Sequence, residues 1–393
     1  MKWDEKSLID FVWFQRGFDL PKSQFKGGDV PVYGSTSILG YHDTAKVKAP
    51  GIITGRSGTL GRFQFAKTDY WPHNTSLWVK DFKENDEIFA YYCLQSLDFS
   101  LFNSGGAVPT LNRNVLKSIR LKIPPLPIQK KIAGILSAYD DLIENNLKRI
   151  KLLEEAAQNI YEEWFVRMRF PGHETTAINN ETGLPEGWER KKVGEVVEKL
   201  ESGSRPKGGI DGNLKDGVPS IGAENVLGIG KYNYSKEKYV TDQFFEKMKK
   251  GKIGNKDILI YKDGAYIGKT SIFQDNFPHS KCAVNEHVFL LNTKNDVLQN
   301  YLYFMLSTKD YFDKMQGLNS NAAQPGINQK KLKSLEFFQP DIDLLKGFFD
   351  LSEPKVKLIF NFAKQNKLLK EARDILLSRL MSGMIDVENV EVA

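Results

Sequence analysis

The stretch that most resembles a catalytic loop is Gly264-Ala265-Tyr266-Ile267-Gly268-Lys269-Thr270, which follows the apolar run Ile258-Leu259-Ile260-Tyr261. A phosphate-cradling loop needs four residues between its glycines and a helix after its Lys-Thr pair. Here three residues intervene and Ser271-Ile272-Phe273 continues as a strand, while the related stretch Gly58-Thr59-Leu60-Gly61-Arg62 lacks the Lys-Thr pair. Both are expected to be glycine-pinched hairpins that present a basic side chain, not nucleotide sites. The acids of Pro340-Asp341-Ile342-Asp343 stand where a loop meets a helix start, so capping is expected of them and not metal binding. No Gly-x-Gly-x-x-Gly opens a βαβ unit, and neither Asp-Pro-Pro-Tyr nor Asn-Pro-Pro-Tyr of amino-methyltransferases is present. The five histidines, His42, His73, His173, His279 and His287, have no metal-ligand spacing. A chain of this size without a site motif is expected to bind rather than react.

What remains is a set of basic residues beside glycine turns: Lys22 and Lys26, Arg56 and Arg62, Arg205 and Lys207, Lys262 and Lys269. Such turns let a backbone approach a phosphate while Arg or Lys reaches a phosphate or a guanine edge. Taken singly, each is as readily a solvated loop charge, but recurrence at matching places in two halves of the chain shifts the weight toward a polyanion surface. Ser57, Thr59 and Tyr266 lie in the same turns and join the candidate contacts. His73 and Asn74, with Asn285 and His287, sit in segments that correspond as Asn74-Thr75-Ser76-Leu77-Trp78-Val79 and Asn285-Glu286-His287-Val288-Phe289-Leu290. They either read bases or satisfy their sheet, and the second is the favoured reading.

The elements that must position these residues are read from pattern. Residues 1–126 show short β-rich runs broken by glycine (VPVYG, GIITG, GRFQFA, TSLWVK, IRLKIP) and one helical piece near Glu87 to Leu97. The first domain then begins again. Trp3 is echoed by Trp188 and Pro21-Lys22 by Pro206-Lys207 at an offset of 185, and Val30-Pro31 returns as Val218-Pro219. From Phe102 to Ile119 the offset is 216, and eight identities in eighteen residues exceed chance. The boundaries that follow are a first domain over 1–126, a long helix over 127–168, a polar linker over 169–184, a second domain over 185–340, a distal helical region over 341–385 and a tail over 386–393.

Between the domains, Ile132, Leu136, Tyr139, Ile143, Asn146, Ile150, Leu153, Ala157, Ile160 and Trp164 alternate steps of four and three without a miss, the signature of a coiled-coil seam. With Pro127 at its start and Phe170-Pro171-Gly172 at its end, that helix would span about 58 Å. Its partner is the second helical region, where residues 361–372 match 145–156 at seven of twelve positions with no gap. An antiparallel packing whose paired residue numbers sum to 512 sets Asn146 opposite Asn366. The same choice pairs Ile132 with Leu380, Leu136 with Leu376, Ile143 with Leu369, Ile150 with Phe362, Leu153 with Ile359 and Trp164 with Phe348. A parallel packing would bury each Asn against an apolar residue. Tyr139 with Arg373 and Ala157 with Lys355 are the awkward members, and Pro354 is expected to break or kink the second helix so that it begins near Ser352. The fold class expected is therefore α+β: two similar strand-rich mixed α/β domains separated by two long helices packed as an antiparallel coiled coil, with pseudo-twofold symmetry.

Composition agrees with a globular chain: 393 residues, 41% hydrophobic, 26% charged, net charge +6. The positive balance favours a polyanion partner only modestly. No signal segment or membrane span is expected, and Cys93 and Cys282 read as buried small hydrophobes in a reducing cytoplasm.

The phrase Gly106-Ala107-Val108-Pro109-Thr110-Leu111-Asn112, leading through Leu116-Lys117-Ser118-Ile119 to Ile123-Pro124-Pro125-Leu126-Pro127-Ile128-Gln129-Lys130-Lys131-Ile132-Ala133, resembles the domain-to-helix junction of the specificity (S) subunits of type I restriction-modification enzymes. The resemblance covers essentially the whole chain, although Phe338-Gln339-Pro340-Asp341-Ile342-Asp343 departs from the proline-rich pattern at the second junction. It implies that each domain reads one half of a split asymmetric DNA target and that the helices set the gap and dock two methyltransferase subunits. It also implies that S-adenosylmethionine, Mg and ATP belong to partner subunits, motor-nuclease subunits among them, with no cofactor, metal or catalytic residue in this chain. A second reading stays open on the residues alone: a non-catalytic coiled-coil scaffold whose two β-rich domains bind protein or another ligand.

Overall fold

A computed structural model describes residues 3–56, 61–99, 113–212, 214, 216–319 and 326–390, with the side chains of 113–115 left aside. Ser57 and Thr59, and the junction phrase from Gly106 to Asn112, lie outside the described residues.

Among the described residues the first domain builds three small sheets from nine strands: β1 Asp4–Ser7, β2 Trp13–Arg16, β3 Val30–Tyr33, β4 Ile38–His42, β5 Gly51–Gly55, β6 Phe63–Ala66, β7 Trp71–Pro72, β8 Ser76–Asp81 and β9 Arg120–Ile123. Their spatial orders are β2-β8-β5-β6, β4-β3-β7 and β1-β9. The second domain repeats this with β10 Glu189–Lys192, β11 Lys199–Ser202, β12 Val218–Ile221, β13 Tyr239–Val240, β14 Asp257–Tyr261, β15 Thr270–Phe273, β16 Ala283–Val284, β17 Val288–Asn292 and β18 Glu336–Gln339. Its orders are β11-β17-β14-β15, β13-β12-β16 and β10-β18, so each strand has its counterpart nine places on. Even the single parallel pairing recurs, β3 with β7 and β12 with β16. The central strands are the ones with uninterrupted apolar or small residues, Gly51-Ile52-Ile53-Thr54-Gly55 and Ile258-Leu259-Ile260, all buried, because both their faces are covered. The helix expected near Glu87 runs Glu87–Gln95 and is capped by Asp86, which accepts from the Phe89 N–H at 2.8 Å. Cys93 and Cys282 are free and buried, and burial pushes both thiols up to about 12.

The chain divides into two compact units, Met1–Ile143 with Leu369–Ala393, and Glu144–Leu368, so each holds one domain and one end of each long helix. The first long helix runs Leu126–Tyr161 and ends in a π-helical turn over Glu162–Val166. In the first unit its start is locked by buried Gln129, whose amide donates to Asn85 Oδ1 and Pro124 O, both at 2.9 Å, and accepts from the Asp86 N–H. Ile128, Ile132 and Leu136 then pack in one cluster with Leu376 and Leu380 of the second long helix. The seam pattern sets Arg373 opposite Tyr139. The Arg373 guanidinium pairs with Asp140, which also accepts from Tyr92, because a carboxylate one residue away offers a stronger partner than a ring edge.

In the second unit Asn146 Nδ2 donates to Asn366 Oδ1 at 3.0 Å, both residues buried, and Ile150, Leu153, Ile359 and Phe362 share one cluster. Trp164 and Phe348 have ring centroids 6.4 Å apart. In each unit the earlier residues of the first helix therefore meet the later ones of the second, which is antiparallel packing. Lys355, left opposite fully buried Ala157, turns its ammonium back to the Leu351 carbonyl at 2.6 Å.

The expectation of a break at Pro354 is corrected: the second helix is one element, Ile342–Met381, with Pro354 inside it. The residues just before the proline are held from outside the helix. Ser352 donates to Asn300 at 2.7 Å, and Glu353 accepts from Gln274 at 3.1 Å and pairs with Lys256 at 3.1 Å. Those contacts offset the one backbone hydrogen bond that proline cannot make. Asp341 begins the helix, its Oδ1 accepting from the Asp343 and Leu344 N–H groups, which is the capping role expected of that acid.

Candidate nucleic-acid interface

The ladder registers gather part of the candidate residues of each domain at one end of its four-stranded sheet, while Lys26 lies apart, its N–H donating to His42 of the β4-β3-β7 sheet. In the first domain Arg16 pairs with Leu77, Gly55 with Ser76 and Thr54 with Phe63. The C-terminal ends of β2 and β5 and the N-terminal ends of β6 and β8 are thus neighbours. Ser202 with Phe289, Tyr261 with Val288 and Ile260 with Thr270 repeat the arrangement. Arg56, Arg62, His73 and Asn74 crowd onto one such end, and Arg205, Lys262, Lys269, Asn285 and His287 onto the other.

The same registers correct the correspondence read from the sequence. Gly55 answers Tyr261, so Ser76 answers Val288, and counting back makes His73 the counterpart of Asn285 and Thr75 that of His287. The Asn-to-Asn match was one residue out of step, because side-chain identity in a turn is a weaker constraint than the hydrogen-bond ladder that enters and leaves it. His73 and Asn285 do the same job. The His73 N–H donates to Tyr33 O at 2.8 Å and the Asn285 N–H to Ile221 O at 3.0 Å. The His73 Nδ1 then accepts from the Thr75 N–H at 3.3 Å, and Asn285 Oδ1 from the His287 N–H at 2.9 Å. Both side chains close their own turn. Satisfying the sheet is the role this geometry favours for these two, while Asn74 and Glu286 occupy the next position.

The cations differ between the two ends. Lys22 and Lys207 are exposed and make no ion pair among the described residues, as is also true of Arg62. Lys26 lies 3.7 Å from Asp43. Arg56 is partly exposed, its N–H held by Thr75 O at 3.2 Å. In the second domain the charges run in a chain. Arg205 Nε lies 2.5 Å from Glu286 and His287 Nε2 3.4 Å from the same carboxylate; His287 Nδ1 is 3.1 Å from Asp263, and Asp263 is 2.8 Å from Lys262. Lys262 also rests over the Phe289 ring, and with its side chain 19% exposed it is less available than the pattern suggests. The Gly264–Lys269 turn is a closed hairpin: the Gly268 N–H donates to Tyr261 O and the Tyr261 N–H to Lys269 O, both at 2.9 Å. β15 follows directly, which removes the helix a phosphate loop would need. Exposed Tyr266 carries the Lys269 ammonium 4.2 Å from its ring centroid, a flat π surface with a cation beside it.

A family model for the type I restriction modification DNA specificity domain matches residues 1–155 and again 185–343. The chain belongs to this DNA specificity family. It is 25% identical to the MjaIX type I restriction enzyme specificity subunit of Methanocaldococcus jannaschii, over 99% of this chain and 94% of that protein. The MjaVIII specificity subunit of the same organism is 24% identical over 78% of this chain and 72% of its own length. Among solved structures, the S subunit of a type I restriction-modification system from M. genitalium shares the fold, with a TM-score of 0.59 at 16% identity, covering 97% of this chain and 96% of that one.

Two kinds of residue in this specificity chain escaped the sequence pattern. Gly17 and Gly203, at the exits of β2 and β11, lie against the turns they face; a Cβ there would come 2.1 Å from His73 O and 1.6 Å from Val284 O. Only glycine permits that approach. The acids Asp19, Asp263 and Glu286 stand beside the candidate contacts only in the folded chain. Only Asp19 has a positional signal, standing two residues after Gly17 as Arg205 stands after Gly203.

Proposed function

We propose that this chain is the DNA-reading, non-catalytic subunit of a type I restriction-modification complex, with residues 1–126 reading one part of a split asymmetric target and 185–340 the other. The observation that carries this is the repeat itself: two domains with the same strand order present polar and basic loops at the same sheet end, while the loop residues differ. A duplicated scaffold with divergent tips suits two different half-targets on one duplex. The two long helices, with a specific register, suit a spacer that fixes the gap between the halves. They also offer the docking length for two methyltransferase subunits, which bring S-adenosylmethionine, and motor-nuclease subunits bring ATP and Mg, all in the cytoplasm.

Binding of the chain, assembled with its methyltransferase partner, to random duplexes across a salt series tests the reading. The logarithm of affinity is expected to fall linearly with that of salt, by about 0.9 per phosphate neutralised, and Lys207→Ala to reduce the slope by about one unit for every sequence. A protein-binding scaffold would bind duplexes weakly or with no such slope, and that result would end the proposal.

A further inference from the structure

At the tip of each domain, one side chain two residues after the required glycine meets one side chain of the three-residue turn before β8 or β17. In the first domain these are Asp19 and Asn74, the Asn74 amide donating to Asp19 Oδ1. In the second they are Arg205 and Glu286, with Arg205 Nε 2.5 Å from Glu286 Oε1. The positions are equivalent, yet the chemistry is exchanged: the carboxylate comes from the first loop in one domain and from the turn in the other. What the two pairs share is one acid holding one multi-dentate reader.

A carboxylate accepts only, so Asp19 forces the Asn74 amide to present its nitrogen to the acid. With Asp19 on the N–H that points away from the carbonyl, the carbonyl oxygen and the second N–H share one edge, an acceptor beside a donor. That edge complements adenine, which offers an N6 donor and an N7 acceptor in the major groove. In the second domain Glu286 meets Arg205 on its Nε side as an ion pair without hydrogen-bond geometry, and the two terminal nitrogens of Arg205 are both donors. They complement guanine O6 and N7. The Arg205 side chain is 54% exposed and Glu286 30%, so the reader projects while its holder is recessed.

We infer that the Asp19–Asn74 and Arg205–Glu286 pairs are equivalent specificity-determining contacts, Asn74 reading an adenine in one half-target and Arg205 a guanine in the other, with Asp19 and Glu286 as positioning residues. This rests on the DNA-reading function proposed above.

The test is selection from a pool of randomised duplexes by the chain assembled with its methyltransferase partner, followed by sequencing of the bound fraction. Wild type should enrich a two-part target with a guanine required in the second part. Arg205→Ala should cut discrimination at that one position by roughly five- to 150-fold and leave the first part intact, which also reports that the variant is folded. Glu286→Gln should keep guanine preferred but less strictly, and Glu286→Ala should relax it further, a graded change in base choice that a merely structural role would not produce. The double variant R205D/E286N carries the first domain's pair and should exchange guanine for adenine. If wild type enriches a defined target and all these variants select the same bases, the pairs are not readers and the inference is overturned with DNA reading intact. If wild type enriches nothing, DNA reading itself fails. Should the alanine variant lose both parts, Arg205→Gln decides, since Gln keeps a long side chain but offers a donor beside an acceptor, and unchanged guanine selectivity with Gln excludes a two-donor Arg contact.

Discussion

Asn146 and Asn366 are buried amides joined by a 3.0 Å hydrogen bond, and Gln365 lies 3.5 Å from the same Asn146 nitrogen. A buried amide with its partner removed costs about 1–3 kcal/mol, whereas replacing both members by apolar residues of similar shape is close to neutral. Asn146→Leu is therefore expected to destabilise by that amount, and adding Asn366→Leu to recover most of it. The double variant loses a buried contact that penalises a shifted register, so it should populate other helix pairings, visible as mixed oligomers by size-exclusion with light scattering. Equal stability of the single and double variants would show that the pair is not a register device.

At the level of elements, the second long helix is anchored on the second domain by an ionic network. Lys256 Nζ lies 2.8 Å from Asp296 and 3.1 Å from Glu353, with the Lys256 side chain 11% and Glu353 7% exposed. Burial pulls the lysine down, but the hydrogen bonds to Asp296 and Glu353 outweigh it and its pKa stands above the ordinary 10.5. A raised pKa means the contribution is complete below 10.5 and fades only as pH climbs through the higher folded value. Glu353→Ala should thus destabilise by on the order of 3 kcal/mol, Asp296 remaining as a partner, with the deficit constant across neutral pH and shrinking only in strong alkali. Denaturant titrations at several pH values check both statements. Pro354 in the same helix makes the opposite prediction. Pro354→Ala restores a backbone donor to Asp350 O and should stabilise by about 1–2 kcal/mol, less than a free helix would gain because the unfolded chain also becomes freer. A loss of melting temperature would mean that the proline shapes the Ser352 and Glu353 contacts.

For the whole molecule, the proposed function makes each repeated domain an exchangeable reader. Replacing residues 1–126 with the matching segment of another family member should change one part of the selected target and leave the other, as sequencing of bound duplexes would reveal. The graft must keep the lock that Asn85, Asp86 and Pro124 form on Gln129, since without it the first long helix has no defined start on its domain. A change in both parts would refute independent reading.

Much of this protein was determined by its sequence alone, and the reason is local geometry. A helix has a fixed rise and period, so a four-three alternation specifies a seam, and two polar residues on two seams specify a register; Asn146 found Asn366 by arithmetic. Duplication likewise survives as internal identity, so nine strands recurring nine places on could be anticipated as a repeat. What tertiary structure decided is non-local. Strand partners are chosen across loops, and the ladder set His73, not Asn74, opposite the role of Asn285. Charge pairing is decided in space, and only the folded tip shows Glu286 holding Arg205 and Asp263 holding Lys262. Pro354 reads as a break by local rules, yet the helix continues because Asn300, Gln274 and Lys256, distant in sequence, hold the turn before it.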